Sequence, residues 1–415
     1  MKRQIIEKST GCFLWVRLVL AQLQKAHSTA AAQKVLESVP PDMNELYRRI
    51  LDSMSQESHD KHLAKAILRW AVCSLWPLTA TELHTALELD LNDTIPNVEK
   101  AVAAHCGQLV YFDTQSRMRL LHLTAKGFLT NTDVNSEFVI EKAEAHKYLA
   151  LACLKCLSGP SMRPVKYRRS VSGRDAPARS PFVHYASMAL FDHVSRTRHL
   201  GAELFQPLAA FLNSPNVLSW VEYLAQQSEL SRLLHAGKAL SRLLKQQNVF
   251  HVADLSTDIQ ALATWNRDLV RLVSKFGGQL RSYPHAIHSL IPPFCPQDSA
   301  LFRRFASPRG LHLVGFSNQT WNDCTSIITY GKGETITAVA CSERFFALGT
   351  VLSKEIIPYG EMTCQETRRL NNGEPVMVLV FGHTGKYLAS AGHRSIKIWE
   401  LETGEMVSNI PSSAR

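Results

Sequence analysis

No stretch of this sequence is long and apolar enough to serve as a membrane span, which takes roughly 18 or more apolar residues in a row. The nearest candidate, Cys12 to Leu20, is short and carries Arg17 in its middle, while Glu7 and Lys8 ahead of it spoil a secretory leader. The expected location is cytoplasmic. Catalytic signatures are missing as well: there is no Gly-x-Ser-x-Gly elbow, no His-Glu-x-x-His, no Gly-x-Gly-x-x-Gly and no paired Cys-x-x-Cys. A Gly-x-x-x-x-Gly-Lys-Ser/Thr loop is also absent, and the nearest cluster, Gly331-Lys332-Gly333, has neither its spacing nor a following helix. Without amides to cradle phosphate and a loop lysine, the chain is expected not to hydrolyse ATP. No catalytic residue, cofactor or metal is assigned, and the chain is expected not to be an enzyme.

Cysteine is sparse and unpatterned. Nine are scattered from Cys12 to Cys364, an odd number without framework spacing, so reduced thiols are expected rather than a disulfide scaffold. The one close pair, Cys153-Leu154-Lys155-Cys156, lies in a helical pattern with no second pair or histidine partners, which points to buried thiols rather than a tetrahedral metal site. Acidic residues are outnumbered 36 to 46, for a net charge of +10. That excess permits attraction to nucleic acid or an acidic membrane but establishes neither. Much of it falls between Arg163 and Arg179, where six basic residues accompany one acid, Asp175. Within that stretch Lys166-Tyr167-Arg168-Arg169-Ser170 reads as a solvated loop, with an import signal, a phosphorylation site or a nucleic-acid contact as alternatives.

What is present is mostly helical periodicity. Apolar residues recur at three- and four-residue spacing from Ile5 to Leu23, from Met43 to Met54 and from His62 to Leu75. Thr79 and Glu82 form a capping box that starts a helix through Leu87, and Val98 to Cys106 forms another that stops at Gly107. The period then changes to two β-prone runs, Leu109 to Phe112 and Met118 to Leu121, around the turn residues Asp113 to Ser116. A further helix follows, with His122 read as a packed structural residue at its start. Three helices, a hairpin and a helix make the order of a winged-helix domain. Nucleic-acid binding through it is one expectation, yet the candidate recognition helix, Val98 to Cys106, offers only Lys100 and His105 as cations beside Glu99.

Near the C-terminus the chain repeats itself after 42 residues. Glu334 to Ala340 aligns with Val376 to Gly382, Phe345 to Ala347 with Tyr387 to Ala389, and Ile356-Ile357 with Ile398-Trp399. That period suits a four-stranded propeller blade. The second copy, through Gly385, Ser390, Ile398 and Trp399, resembles the WD-repeat family, with those four residues in structural roles. It departs from the pattern where His393 stands near the tight-turn aspartate and Glu400 at the final one, and Gly382-His383 falls in a turn.

Several phrases together resemble the region downstream of the nucleotide-binding module in fungal STAND proteins, the NACHT and WD-repeat family related to vegetative incompatibility proteins. They are Ser9 to Val16, Val39 to Tyr47, Leu68 to Ala71, Pro77 to Leu83, Leu121 to Thr124, Trp220 to Leu224 and Ile291 to Pro296. The resemblance implies a multidomain α+β chain: helices at 1–60, a winged helix at 61–131, a helix at 132–157, a basic linker at 158–181, helices at 182–283, a Pro- and aromatic-rich connector at 284–333, and about two blades of an incomplete propeller at 334–411. It further implies a non-catalytic relay and interaction segment that works beside an upstream NACHT module and meets protein partners through its blades and helices. A winged-helix nucleic-acid binder and a truncated product without independent function are the alternatives.

Overall fold

The computed structural model describes the chain apart from residues 1–3, 6–8, 10–12, 24–27, 41, 58–59, 107, 165–178, 199–201, 248–255, 308–309, 312, 314–318, 322–327, 329–332, 361–365 and 412–415. The motif at Lys166 to Ser170, with Arg168 and Arg169, therefore lies outside the described residues, as do Lys332, Cys12 and the expected helix stop at Gly107. The protein is mostly helical, with an N-terminal winged helix and a C-terminal region of antiparallel sheets. Two compact units emerge, one of residues 1–223 with 241–262 and the other of residues 224–240 with 263–415. Among the described residues no helix is long and apolar enough to cross a membrane.

In the first unit, α1 (Phe13–Leu23), α2 (Thr29–Ser38) and α3 (Met43–Glu57) lead the chain. Trp15 is fully buried, and its indole N–H donates to the carbonyl of Pro40 at 2.6 Å, which closes α1 onto the segment ahead of α3. Next, α4 (Lys61–Cys73) starts on an Asp60 cap whose carboxylate accepts from Leu63 N at 2.9 Å. The capping box expected at Thr79 and Glu82 opens α5 (Ala80–Leu91), and Asn97 caps α6 (Val98–His105). Each such cap supplies a partner to amides that a helix start leaves unpaired.

β1 (Val110–Phe112) and β2 (Met118–Leu120) pair antiparallel with Val110 opposite Leu120. Leu78 to Ala80 joins them as a third strip: Met118 N donates to Leu78 O at 2.7 Å and Ala80 N to Ser116 O at 2.9 Å. α7 (Leu123–Leu129) follows the wing. Beyond it α8 (Lys142–Ser158), α9 (Val183–Ser195), α10 (Ala202–Leu212) and α11 (Asn216–Gln226) continue one apolar interior. Trp70 of α4 meets Phe182 edge-on at 5.5 Å and Tyr185 of α9 at 5.9 Å, so the winged helix shares its core with the helices that follow it.

α12 (Ser231–Gln247) and α13 (Ser256–Ser282) each cross the division between the units. Within the second unit, the prolines break the connector into the 3-10 turns Pro284–His288 and Pro292–Phe294 before the short α14 (Ala300–Phe305). Asp268 of α13 anchors this segment: its carboxylate accepts from Ala300 N at 2.6 Å and from the Trp321 indole at 2.7 Å. Burial raises the Asp268 pKa to about 6 against those hydrogen bonds.

Two four-stranded meanders complete the unit. β3 (Ile336–Cys341), β4 (Phe345–Thr350), β5 (Glu355–Gly360) and β6 (Leu370–Asn371) form the first. β7 (Val378–Phe381), β8 (Tyr387–Ala391), β9 (Ser395–Glu400) and β10 (Met406–Pro411) form the second. Neighbours pair antiparallel in sequence order in both. The described residues contain these two sheets and no closed propeller.

Candidate interaction site

The two sheets face each other across a core in which Ala338, Ala347 and Ile356 of the first meet Leu379, Leu388 and Trp399 of the second. Strand alternation explains the choice of residues, because positions two apart share a face. Gly349 is required here by close approach: a Cβ built on it would lie 2.6 Å from Val376 Cγ1. At the centre, the buried Trp399 indole donates to Ser390 Oγ at 2.9 Å, and that hydroxyl donates onward to Asn372 Oδ1 at 2.9 Å. Trp399 is thereby fixed by a polar chain instead of by packing alone.

The turn from β8 to β9 lacks an aspartate, yet it is closed by a carboxylate. Glu374, from the segment leading into β7, accepts from Arg394 N at 2.8 Å and from the Ser395 hydroxyl at 2.6 Å. The Ser395 hydrogen bond chiefly holds the Glu374 pKa below the usual carboxyl value. The first sheet repeats the device, since Glu334 accepts from the backbone of Val351, Leu352 and Ser353 across the β4 to β5 turn. Sequence reasoning missed this pair. Its signal was available as Gly333-Glu334 and Gly373-Glu374, two identical dipeptides whose glycines both take positive φ, at 91° and 75°.

Elsewhere in the sheets the expected structural residues are placed as follows. Gly385 sits at φ 68° in the β7 to β8 turn, beside the exposed His383. Ser390 and Trp399 are buried, whereas Ile398 is half-buried on the opposite side of β9. Glu400 binds Lys386 Nζ at 2.8 Å and accepts from Thr403 Oγ1 at 3.0 Å, so it links two turns. A cavity of about 320 Å³ opens among Arg344, Thr384, Lys386 and Glu402 at one end of the sheet pair.

In the winged helix, Thr79 and Glu82 cap α5 and carry no other chemistry. His122 differs from the expectation of a packed residue: it is exposed, and its Nδ1 accepts from Thr124 N at 3.2 Å as the cap of α7. The physical reason is local, since a capping ring must stay beside the helix end and cannot enter the core. The outward positions of α6 are Glu99, Lys100, Ala103 and Ala104, a surface with one net cancellation and no cluster of cations. A cavity of about 360 Å³ lies between α1 and α6, where the Arg17 guanidinium stands over the Tyr111 ring at 5.2 Å.

Behind the wing lies a buried polar chain that spacing in the sequence could not reveal. Leu75 N donates to the Tyr185 hydroxyl at 3.1 Å, and that hydroxyl donates to His193 Nε2 at 2.9 Å. His193 thus carries its own proton on Nδ1, facing His146 Nδ1 at 2.9 Å. Burial, then the charge of Arg196, lowers the His146 pKa to about 4, and burial followed by His146 and Arg196 lowers that of His193 to about 3. Both rings are neutral in the folded protein at physiological pH. Cys153 and Cys156 are buried thiols raised in pKa by burial, and among the described residues no His, Cys, Asp and Glu cluster could hold a metal.

Residues 51–141 match the winged helix domain of GPI inositol-deacylase. The matched span runs from within α3 to the residue before α8 and so takes in α4, α5, α6, the wing and α7. No curated protein matches the chain.

Proposed function

We propose that this chain is the relay and interaction segment of a NACHT-type (STAND) signalling receptor, with the winged helix as relay and the paired sheets as WD-type blades that meet a protein partner. The carrying observation is the winged-helix match at residues 51–141, a domain found in NACHT-containing proteins, in one chain with two tandem four-stranded sheets. Supporting it, the winged helix shares an aromatic core with α9, so a displacement of one must be felt by the other. The sheets suit blades by their antiparallel order and by a rigid scaffold that holds several turns at one end. In this reading the chain is cytoplasmic, non-catalytic and dependent on a separate nucleotide module.

Nucleic-acid reading is the weaker alternative, because α6 offers Lys100 without further basic neighbours on its outward side. One assay set separates the two. Purified chain is expected to show no ATP turnover; hydrolysis that disappears in Lys332→Ala would overturn the relay reading. Salt-sensitive binding to duplex DNA that is lost in Lys100→Gln would move the function to the winged helix. Loss only on neutralising Arg168 and Arg169 would place it in the basic stretch.

A further inference from the structure

One face of the second sheet is left open, and the repeat shows what kind of surface it is. Ala338, Ala347 and Ile356 are 7%, 0% and 0% exposed because the second sheet covers them. Forty-two residues later stand Val380, Ala389 and Ile398, on the side of the second sheet that points away from this interface. There Val378 is 51% exposed, Val380 56% and Ile396 42%. The face is thus apolar and continuous across β7, β8 and β9. Its charged member in those strands is Glu400, which Lys386 already neutralises at 2.8 Å. Exposed apolar surface of this kind marks an interface.

We infer that this face pairs with the same face of a second copy of the chain. Continuity with the interface inside the chain says that a sheet belongs there, and two details choose the second copy over another sheet of the same repeat. Gly349 provides the notch that admits Val376, but its counterpart is Ala391, whose Cβ fills that space. Val380 likewise replaces the smaller Ala338, so the original interface cannot simply be translated by one repeat. The outer face of the first sheet is also occupied, with Leu348, Ile357 and Tyr359 buried against Ile328 and Phe346. Head-to-tail stacking into a fibre is therefore blocked, and a closed two-fold pair, sheet on sheet about 10 Å apart, is the arrangement left. An uncharged face can meet itself without like-charge repulsion.

Sedimentation of the purified 415-residue chain across a wide concentration range tests this. The expected result is reversible association to twice the monomer mass, with the dissociation constant raised at least roughly 100-fold in Val380→Asp and in Ile396→Lys, because each buries an unpaired charge. Val339→Asp, at an equally exposed valine of the first sheet, should leave it unchanged. Circular dichroism monitors folding, and should a charged variant lose its spectrum, Val378→Ser takes its place with the same expected direction. A wild-type chain that stays monomeric at every concentration overturns the pairing and assigns the face to a different occupant. A dimer indifferent to both substitutions overturns it as well. Neither outcome bears on the relay reading, which rests on ATP turnover and DNA binding.

Discussion

Removing the Ser390 hydroxyl would strip partners from two buried groups at once, the Trp399 indole N–H and the Asn372 side-chain oxygen. Each orphaned buried group costs about 1–3 kcal/mol, so Ser390→Ala is expected to destabilise the sheet unit by roughly 2–4 kcal/mol in urea denaturation followed by tryptophan fluorescence. Ser187 provides the contrast. It is buried on α9, and its hydroxyl has no partner among the described residues, so Ser187→Ala is expected to leave stability unchanged or to raise it slightly. Equal losses in the two variants would show that the hydroxyls matter through packing and not through hydrogen bonds. The glutamates at 334 and 374 carry the same lesson about legibility. A turn without its aspartate looks degenerate along the chain, yet the missing carboxylate arrives from some 20 residues upstream, through space that no local pattern describes.

At the scale of elements, the contact between α8 and α9 is sensitive to acid. His146 and His193 have pKa values lowered to about 4 and about 3 in the folded chain, against an ordinary value of 6.5. Below about 6.5 the unfolded chain binds more protons than the folded one, so stability falls as pH falls from there toward 4 and is fully present above it. The expected slope from this pair reaches roughly 1.4 kcal/mol per pH unit for each proton taken up. His193→Gln is expected to lower the denaturation midpoint at neutral pH and to flatten its dependence between about pH 4 and 6.5; an unchanged slope would refute a role for the pair. Helix starts and strands themselves were readable. The Thr79 to Glu82 box, the wing and the 42-residue spacing of the strands are local or strictly periodic signals. The His146 and His193 meeting was not readable, because 47 residues and two helix faces separate them and nothing in either helix marks the partner. Leu78 to Ala80 as a third strip beside the wing was hidden for the same reason: its role is set by a hairpin nearly 40 residues away.

For the molecule as a whole, composition anticipated a mostly helical chain ending in strands, and the connector's prolines anticipated broken helix between them. The division into units was less accessible. The sequence suggests successive blocks along the chain, but the boundary passes through α12 and α13, and the winged helix has no core of its own apart from α8 and α9. Large aromatics such as Trp70, Phe182 and Tyr185 announce burial without saying which helix they will be buried against.

The scattered cysteines acquire a use from this arrangement. Cys106, Cys153 and Cys156 are shut inside the first unit and Cys295 inside the second, each with its thiol made less acidic by burial, while Cys341 lies exposed. A maleimide therefore meets a chain that carries its own clocks. Cys341 is expected to react at once, Cys295 at the rate at which the second unit opens, and the α8 pair at the rate at which the first does, read by mass spectrometry of the labelled peptides. Two separate rates would show that the units breathe independently; one shared rate would show that they open as a single cooperative block.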